Sequence, residues 1–225
     1  MNRSTNRFFR FIPSRAQIVA LLIVAVPTVI FLELAEDVWF LEGFWWDQAI
    51  ALAIHRLANP WLTQVVRFIT FTGGNGAFLI FAVFVIWLWV QNQPQWVAIL
   101  AICFLGSGLL NLLLKSIFVR PRPTLFTPLV VVGGYSFPSG HSIAGITMYG
   151  VIALFLWQQR RFGWAIGAAI WGLLIGLSRV YLGVHYPSDV LAAWMAGALW
   201  SYVTYMLVRW VQNRHLLGTE SETEE

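Results

Sequence analysis

The chain is long enough for one domain and far more apolar than a soluble protein of its size. It has 225 residues, of which 59% are hydrophobic and 11% are charged, whereas soluble domains carry about 25% charged residues. The net charge of +4 comes from arginines spread along the chain, without a basic stripe interleaved with aromatic residues, so we expect no nucleic-acid partner. The composition predicts an integral membrane protein.

Six apolar runs reach or approach the roughly 20 helical residues that are needed to cross a hydrocarbon core. In lipid these runs should be helices, because strands would leave backbone groups unpaired. The predicted spans are Ala16–Leu34, Phe71–Val90, Trp96–Leu114, Ser142–Trp157, Phe162–Leu177 and Val190–Val211. The expected fold is therefore an all-α bundle of six transmembrane helices, in a single domain over residues 1–218.

The loop between the first two predicted spans is the only sizeable extramembrane segment. Asp47 is expected to cap a helix that ends before Asn59-Pro60, and the apolar residues that follow recur at helical spacing. We predict a helical hairpin on the membrane surface between the first and second spans. Residues 219–225 are polar and acidic, and we predict a disordered tail there.

The distribution of arginines predicts the orientation of the chain. Positive charges concentrate on cytoplasmic segments, which favours cytoplasmic N- and C-termini in the plasma or inner membrane. The arginines assigned to the inner side are Arg3, Arg7, Arg10, Arg15, Arg160, Arg161, Arg209 and Arg214.

Three short polar clusters interrupt the apolar sequence, at Lys115–Pro123, Pro138–His141 and Ser178–Asp189. The first two follow the third span on its outer side. Two further spans then return the chain to that side at Ser178, since each covers most of the bilayer. All three clusters are therefore expected at the outer or periplasmic boundary, where they can form one site.

The cations in these clusters suit a phosphoryl group. Lys115, Arg122 and Arg179 offer hydrogen-bond donors without acceptors, and arginine can engage phosphate through two parallel bonds. The residue pattern alone leaves open whether Arg120 or Arg122 points inward. Ser139 is a candidate helix cap, and the small Gly140 would let a ligand approach free backbone N–H groups.

Two histidines and one carboxylate can complete a hydrolytic site. Asp189 lies four residues after His185, and a carboxylate that accepts one ring N–H leaves the other nitrogen as a basic lone pair. His185 is therefore the candidate nucleophile, with His141 as the general acid. The sequence has neither a carboxylate cluster for Mg²⁺ nor the spacings typical of zinc sites, so we expect metal-independent chemistry without a cofactor.

The joint pattern resembles the three-part signature of the type 2 phosphatidic acid phosphatase superfamily. The matching motifs are Lys115-x6-Arg122-Pro123, Pro138-Ser139-Gly140-His141 and Ser178-Arg179-x5-His185-x3-Asp189. This superfamily includes membrane lipid phosphate phosphatases, and vanadium haloperoxidases share its site. The resemblance selects Arg122 over Arg120. It also implies a phosphohistidine intermediate on His185, with a phosphorylated membrane lipid as substrate.

Two other functions fit parts of the pattern. A non-catalytic anion channel or transporter would use the basic cluster only for attraction, but it would need ionisable groups along a midplane path. A phosphatase or haloperoxidase for a soluble substrate is disfavoured because the predicted site opens beside lipid. Ser107 and Asn111, in the third span, could line the site. Interhelical hydrogen bonding is the favoured role for both.

Overall fold

The computed structural model describes residues 14–222, which form helices and loops without a strand. The expectation of an all-helical protein is confirmed for this range. Its eight helices are α1 (Arg15–Trp39), α2 (Trp45–His55), α3 (Pro60–Phe71), α4 (Asn75–Val90), α5 (Pro94–Phe118), α6 (Gly140–Gln158), α7 (Phe162–Tyr181) and α8 (Pro187–Glu222).

Within residues 14–222, five helices are long and apolar enough to cross a membrane, namely α1, α5, α6, α7 and α8. The span predicted to start at Phe71 is wrong in its first residues, because Phe71 ends α3 and α4 begins only at Asn75. The chain bends by 52° between these two helices. Gly73 and Gly74 occupy the break, where the low helix propensity of glycine favours an interruption. The pair supplies a sixth crossing if both helices together form one bent span.

The segment between the first two spans is helical, as expected, and both of its helices bury residues against the bundle. Their location on a membrane surface stays a prediction. In α2, Ala51 is buried in a cluster with Val180 and Val190, and in α3 Val66 is buried beside Leu182. Other large apolar side chains of these helices, among them Trp45, Trp61 and Phe68, are exposed. Both helices reach the ends of α7 and α8, where the polar clusters lie.

Asp47 does not cap α2. Phe44 holds the N-cap position without a side-chain hydrogen bond, and Asp47 lies within the first turn. Its carboxylate instead accepts a 2.8 Å hydrogen bond from the backbone N–H of Ser188 at the start of α8. The predicted cap is wrong because a buried partner from a distant helix competes for the same oxygen atoms.

Helix α6 lies at the centre of the bundle and packs against α5, α7 and α8. Two small residues let α6 and α7 approach closely. A Cβ atom on Gly145 would lie 3.2 Å from the Gly172 carbonyl oxygen, and one on Gly172 would lie 3.1 Å from the Gly145 carbonyl oxygen. Small residues at such crossings let helices approach closely in membranes. This contact fixes the end of α7 relative to the head of α6.

The C-terminal helix runs further than expected. We predicted disorder from Thr219, whereas α8 continues through Glu222. Glutamate has a good helix propensity, which favours continuation of the helix into this acidic segment. Residues 223–225, as well as Arg3, Arg7 and Arg10, lie outside the described residues.

Candidate active site

The three polar clusters meet at one end of the bundle, as the count of spans predicts. The loop from 119 to 139 joins α5 to α6 and lies against the loop between α7 and α8. Backbone hydrogen bonds join the first loop to this region: Leu129 N–H donates to the Leu182 carbonyl at 3.0 Å, and Ser139 N–H donates to the carbonyl of Asp189, in the first turn of α8, at 3.2 Å. Side chains that are distant in sequence are thereby brought to one site.

Arg122 is held in place by the backbone and faces His185. Its guanidinium donates to the carbonyl oxygens of Gly133, Gly134 and Val184 at 2.8, 3.0 and 2.7 Å. Its Nη1 atom also lies 3.3 Å from His185 Nε2. Burial lowers the pKa of Arg122, and the nearby Asp189 opposes that shift. The carbonyls fix the guanidinium beside the ring nitrogen that is the candidate nucleophile.

The other ring nitrogen of His185 faces a carboxylate. Nδ1 lies 3.4 Å from Asp189 Oδ2 and 3.5 Å from Ser136 Oγ. Asp189 Oδ2 also accepts hydrogen bonds from the Ser136 hydroxyl and, at 2.8 Å, from the Tyr186 N–H. A carboxylate at Nδ1 favours the tautomer whose lone pair is on Nε2. The predicted pairing of His185 with Asp189 is present in the geometry, and Ser136 is an additional member.

His185 is almost completely buried, and this environment favours the neutral ring. Burial lowers its pKa to about 4, and the positive charges of Arg179 and Arg122 act in the same direction. The hydrogen bond to Asp189 and its charge act in the opposite direction. A neutral imidazole retains the lone pair that nucleophilic attack requires.

The remaining two cations reach the same region from α5 and α7. The Lys115 ammonium donates to the Tyr135 carbonyl oxygen. Arg179 is buried, donates from Nη1 to Thr70 Oγ1 at 2.7 Å, and leaves its Nε atom without a partner among the described residues. Arg179 therefore retains an unused donor, as an anion-binding arginine requires.

His141 lies in the first turn of α6 and is half-buried. It is close enough to His185 and Arg179 for electrostatic interaction. The ring packs against the backbone of Gly74 at the break between α3 and α4, where a Cβ atom would lie 2.4 Å from His141 Nε2. His141 also lines a cavity of about 330 Å³ between α4, α5 and α6.

Ser107 and Asn111 line the same cavity. The Ser107 hydroxyl donates to the Phe104 carbonyl within its own helix, and the Asn111 Oδ1 atom is buried without a partner among the described residues. Among the described residues, neither side chain shows the interhelical hydrogen bond that the favoured role requires. Their position beside His141 agrees with the other possibility, that they line the site.

Ser139 and Gly140 differ from expectation in their contacts. Ser139 occupies the N-cap position of α6 without a side-chain capping bond, because its hydroxyl accepts from Ser142 at 2.8 Å. A Cβ atom on Gly140 would lie 3.0 Å from Asn111 Nδ2, so the absence of a side chain makes room for Asn111. A phosphate-binding role for these two residues stays a prediction.

Three residues around the site were not found from the sequence: Asp47, Thr70 and Ser136. Each is a common polar residue outside the three motifs, without a distinctive local pattern. The one possible signal for Ser136 was its nearness to the second motif, since it lies two residues before Pro138. Among residues 14–222, no group of three or more His, Cys, Asp or Glu side chains is arranged to hold a metal ion.

Comparisons with known proteins identify the family. Residues 96–213 match the family model of the PAP2 superfamily. The chain is 37% identical over 161 residues to phosphatidylglycerophosphatase B of Bacillus subtilis, covering 68% of this chain and 78% of that protein. It is 31% identical over 150 residues to undecaprenyl-diphosphatase BcrC of the same species, covering 63% and 73% respectively.

Solved structures show the same relationship. The crystal structure of a transmembrane PAP2-type phosphatidylglycerolphosphate phosphatase from Bacillus subtilis superposes with a TM-score of 0.71 at 30% sequence identity, covering 86% of this chain and 97% of that one. The LpxE structure from Aquifex aeolicus, at 23% identity and a TM-score of 0.62, shares the fold. The family resemblance carried by the three motifs is thus confirmed, and the chain belongs to the PAP2 superfamily.

Proposed function

We propose that this protein is a membrane lipid phosphatase that removes phosphate from a lipid phosphate monoester or pyrophosphate through a phosphohistidine on His185. The observation that carries this proposal is the arrangement around that ring. Arg122 lies 3.3 Å from Nε2, whereas Asp189 lies 3.4 Å from Nδ1. A phosphoryl group at Nε2 would meet a cation, and the opposite nitrogen would have a carboxylate to stabilise the charge that develops on the ring.

The first chemical step forms a bond between His185 Nε2 and phosphorus and breaks the bond from phosphorus to the leaving oxygen. Lys115, Arg122 and Arg179 hold the other phosphoryl oxygens, whose charge is spread over several atoms in the transition state. His141, in its protonated form, donates a proton to the leaving oxygen. The lipid product then departs, as an alcohol from a monoester or as a lipid monophosphate from a pyrophosphate.

The second step regenerates the enzyme. The now neutral His141 accepts a proton from a water molecule as this water attacks phosphorus, and the bond between phosphorus and Nε2 breaks. Inorganic phosphate leaves, and His185 returns to its neutral state beside Asp189. Proton transfer and charge stabilisation in both steps are assigned to side chains of this chain, without a metal ion or cofactor.

The names of the relatives support a lipid substrate. They include a phosphatidylglycerophosphatase, an undecaprenyl-diphosphatase and, at 39% identity over 107 residues, a lipid A 1-phosphatase of Rhizobium etli. The apolar helices around the site agree with a substrate that stays in the membrane. The gathering of the cations at one end of the bundle, instead of along a midplane path, argues against a transporter.

We assign the active site to the outer or periplasmic face of the membrane. The turn with Arg160 and Arg161 joins α6 to α7 at the end opposite the site, and Arg209 and Arg214 lie towards the same end on α8. The positive-inside rule then favours cytoplasmic termini. A site on the outer face would act on lipids of the outer leaflet.

The proposal is tested by measuring phosphate release from a panel of lipids with purified protein in detergent. The panel contains phosphatidate, phosphatidylglycerophosphate, undecaprenyl pyrophosphate and a sphingoid phosphate, each assayed in excess EDTA. We expect activity on at least one of them, and none from the His185→Ala variant. Absence of hydrolysis across the panel would contradict the function, and activity that requires added Mg²⁺ would contradict the mechanism.

A further inference from the structure

Arg120, which does not face His185, donates hydrogen bonds to two carboxylates, those of Asp189 and Asp47. Its Nη1 atom donates to Asp189 Oδ1 at 2.6 Å and to Ser188 Oγ at 2.8 Å, and its Nη2 atom donates to Asp47 Oδ2 at 3.0 Å. The guanidinium also lies 4.2 Å from the centre of the Tyr186 ring. Its side chain is 11% exposed. Arg120 therefore joins α2 to the carboxylate that supports His185.

The partner on α2, Asp47, is buried and bonded to the start of α8. It accepts hydrogen bonds from the Ser188 N–H at 2.8 Å and the Ser188 hydroxyl at 2.5 Å, in addition to the bond from Arg120. Burial raises the pKa of Asp47, and these donors oppose the shift. The first N–H groups of a helix lack partners within it, so the carboxylate caps α8 from another helix.

These contacts fix how the Asp189 carboxylate is shared. Oδ1 is occupied by Arg120, which leaves Oδ2 for His185 Nδ1, the Ser136 hydroxyl and the Tyr186 N–H. The Arg120 guanidinium in turn donates hydrogen bonds to both Asp189 and Asp47. Without Asp47, both guanidinium nitrogens could turn to Asp189, and the first turn of α8 would lose an N–H acceptor.

We propose that Asp47 is a positioning residue for catalysis, which acts through Arg120 and Ser188 to hold the Asp189 carboxylate against His185. This role rests on the proposed function and extends it to a residue of α2, outside the three motifs. Asp47 does not touch the phosphate-binding cations. Its loss should therefore slow the nucleophilic step and leave phosphate binding largely intact.

The test compares Asp47→Asn and Asp47→Ala with Glu42→Gln, a matched loss of one carboxylate at an exposed position five residues earlier. We expect kcat to fall by about 10²-fold in Asp47→Ala, because a small misplacement of a catalytic group has an effect of this size. Asp47→Asn should lose less, since its amide oxygen can still accept from Ser188. The inhibition constant of inorganic phosphate should change less than threefold in all three variants.

A second measurement separates positioning from folding. A rapid-quench experiment measures the rate of phosphohistidine formation, which is then divided by the fraction of enzyme that can be phosphorylated. In Asp47→Ala this normalised rate should fall in parallel with kcat. The Asp47→Ala and Arg120→Leu substitutions should be non-additive, because both remove the same link. Three outcomes would overturn the inference. These are additive losses in the double variant, a kcat of Asp47→Ala equal to that of Glu42→Gln, and a loss of activity explained wholly by a smaller active fraction. A wild-type protein without phosphatase activity would overturn the proposed function together with it.

Discussion

Arg122 and His185 face each other across the candidate site, with Arg122 Nη1 3.3 Å from His185 Nε2. Three backbone carbonyls hold the guanidinium in this position. The ring nitrogen that we propose as the nucleophile thus lies beside a fixed cation. In the proposed mechanism this arrangement would stabilise a phosphoryl group without any movement of the charged group during the reaction.

Replacement of Arg122 by lysine should be severely damaging although the charge is retained. One ammonium group cannot bond three carbonyls and also face the phosphoryl group, because it lacks the planar fork of arginine. We expect kcat/KM to fall by about 10²-fold, corresponding to a transition-state contact of about 3 kcal/mol. Steady-state assays would check this, with Arg56→Lys at an exposed position as the matched control. Equal activities of the two variants would contradict the assignment.

The decline of kcat/KM at acid pH should occur at an unusually low pH. Burial, together with Arg179 and Arg122, lowers the pKa of His185 to about 4. Since only the neutral ring attacks, kcat/KM should be maintained as the pH falls from 7 to about 5, and it should decline as the pH passes through about 4. Reassay at pH 7 after exposure to acid controls for denaturation. A decline centred near pH 6.5, the ordinary value for histidine, would contradict this prediction.

The His141→Ala variant should distinguish between substrate classes. A monoester leaves as an alkoxide, which needs a proton as the bond breaks, whereas a pyrophosphate leaves as a stable phosphate anion. General acid catalysis contributes about 10²–10⁴-fold, so this variant should lose most monoester hydrolysis and retain relatively more pyrophosphate hydrolysis. The comparison requires both substrates on the same lipid chain. The parameter to compare is kcat/KM, which includes the first step but not the later hydrolysis of the phosphohistidine, where His141 is the proposed base for both substrates. Equal losses in kcat/KM would indicate that His141 positions the phosphate instead of donating a proton.

Substitution of Gly74 should reduce activity as strongly as substitution of a catalytic residue, although glycine has no side chain. A Cβ atom there would lie 2.4 Å from His141 Nε2, so Gly74→Ala must displace the ring. We expect monoester hydrolysis to fall by up to about 10²-fold, because misplaced catalytic groups are costly. Gly108→Ala is the matched control: Gly108 lines the same cavity, and a Cβ there meets no atom within 4 Å. Similar activities of the two variants would argue against this role for the contact.

Cysteine labelling should report the orientation of the chain. Val131 is fully exposed in the loop beside the site, and Gln159 is exposed at the opposite end of α6. In a Cys103→Ser background, a membrane-impermeant maleimide should label the Val131→Cys variant in intact cells and the Gln159→Cys variant only after the membrane is opened. The reverse pattern would place the site on the cytoplasmic face.

The sequence by itself determined the membrane class, most of the helix pattern and the residues expected at the site. Length and apolarity are sufficient for the spans, because a bilayer requires continuous apolar helices. The meeting of Lys115, His141 and His185 also followed from the number of spans between them. Proline at the start of α8 and the spacing of His185 and Asp189 are local features, so the sequence shows them directly.

The tertiary structure alone decided which groups support that site. The sequence predicted that Asp47 caps its own helix, yet its carboxylate accepts a hydrogen bond from Ser188, which is 141 residues away. Thr70 and Ser136 hold Arg179 and Asp189 in the same way, across 109 and 53 residues. Such contacts leave no local pattern, since a buried carboxylate or hydroxyl bonds to whichever donors the fold brings near it. Which polar groups share one buried site is therefore settled only when helices that are distant in the chain pack together.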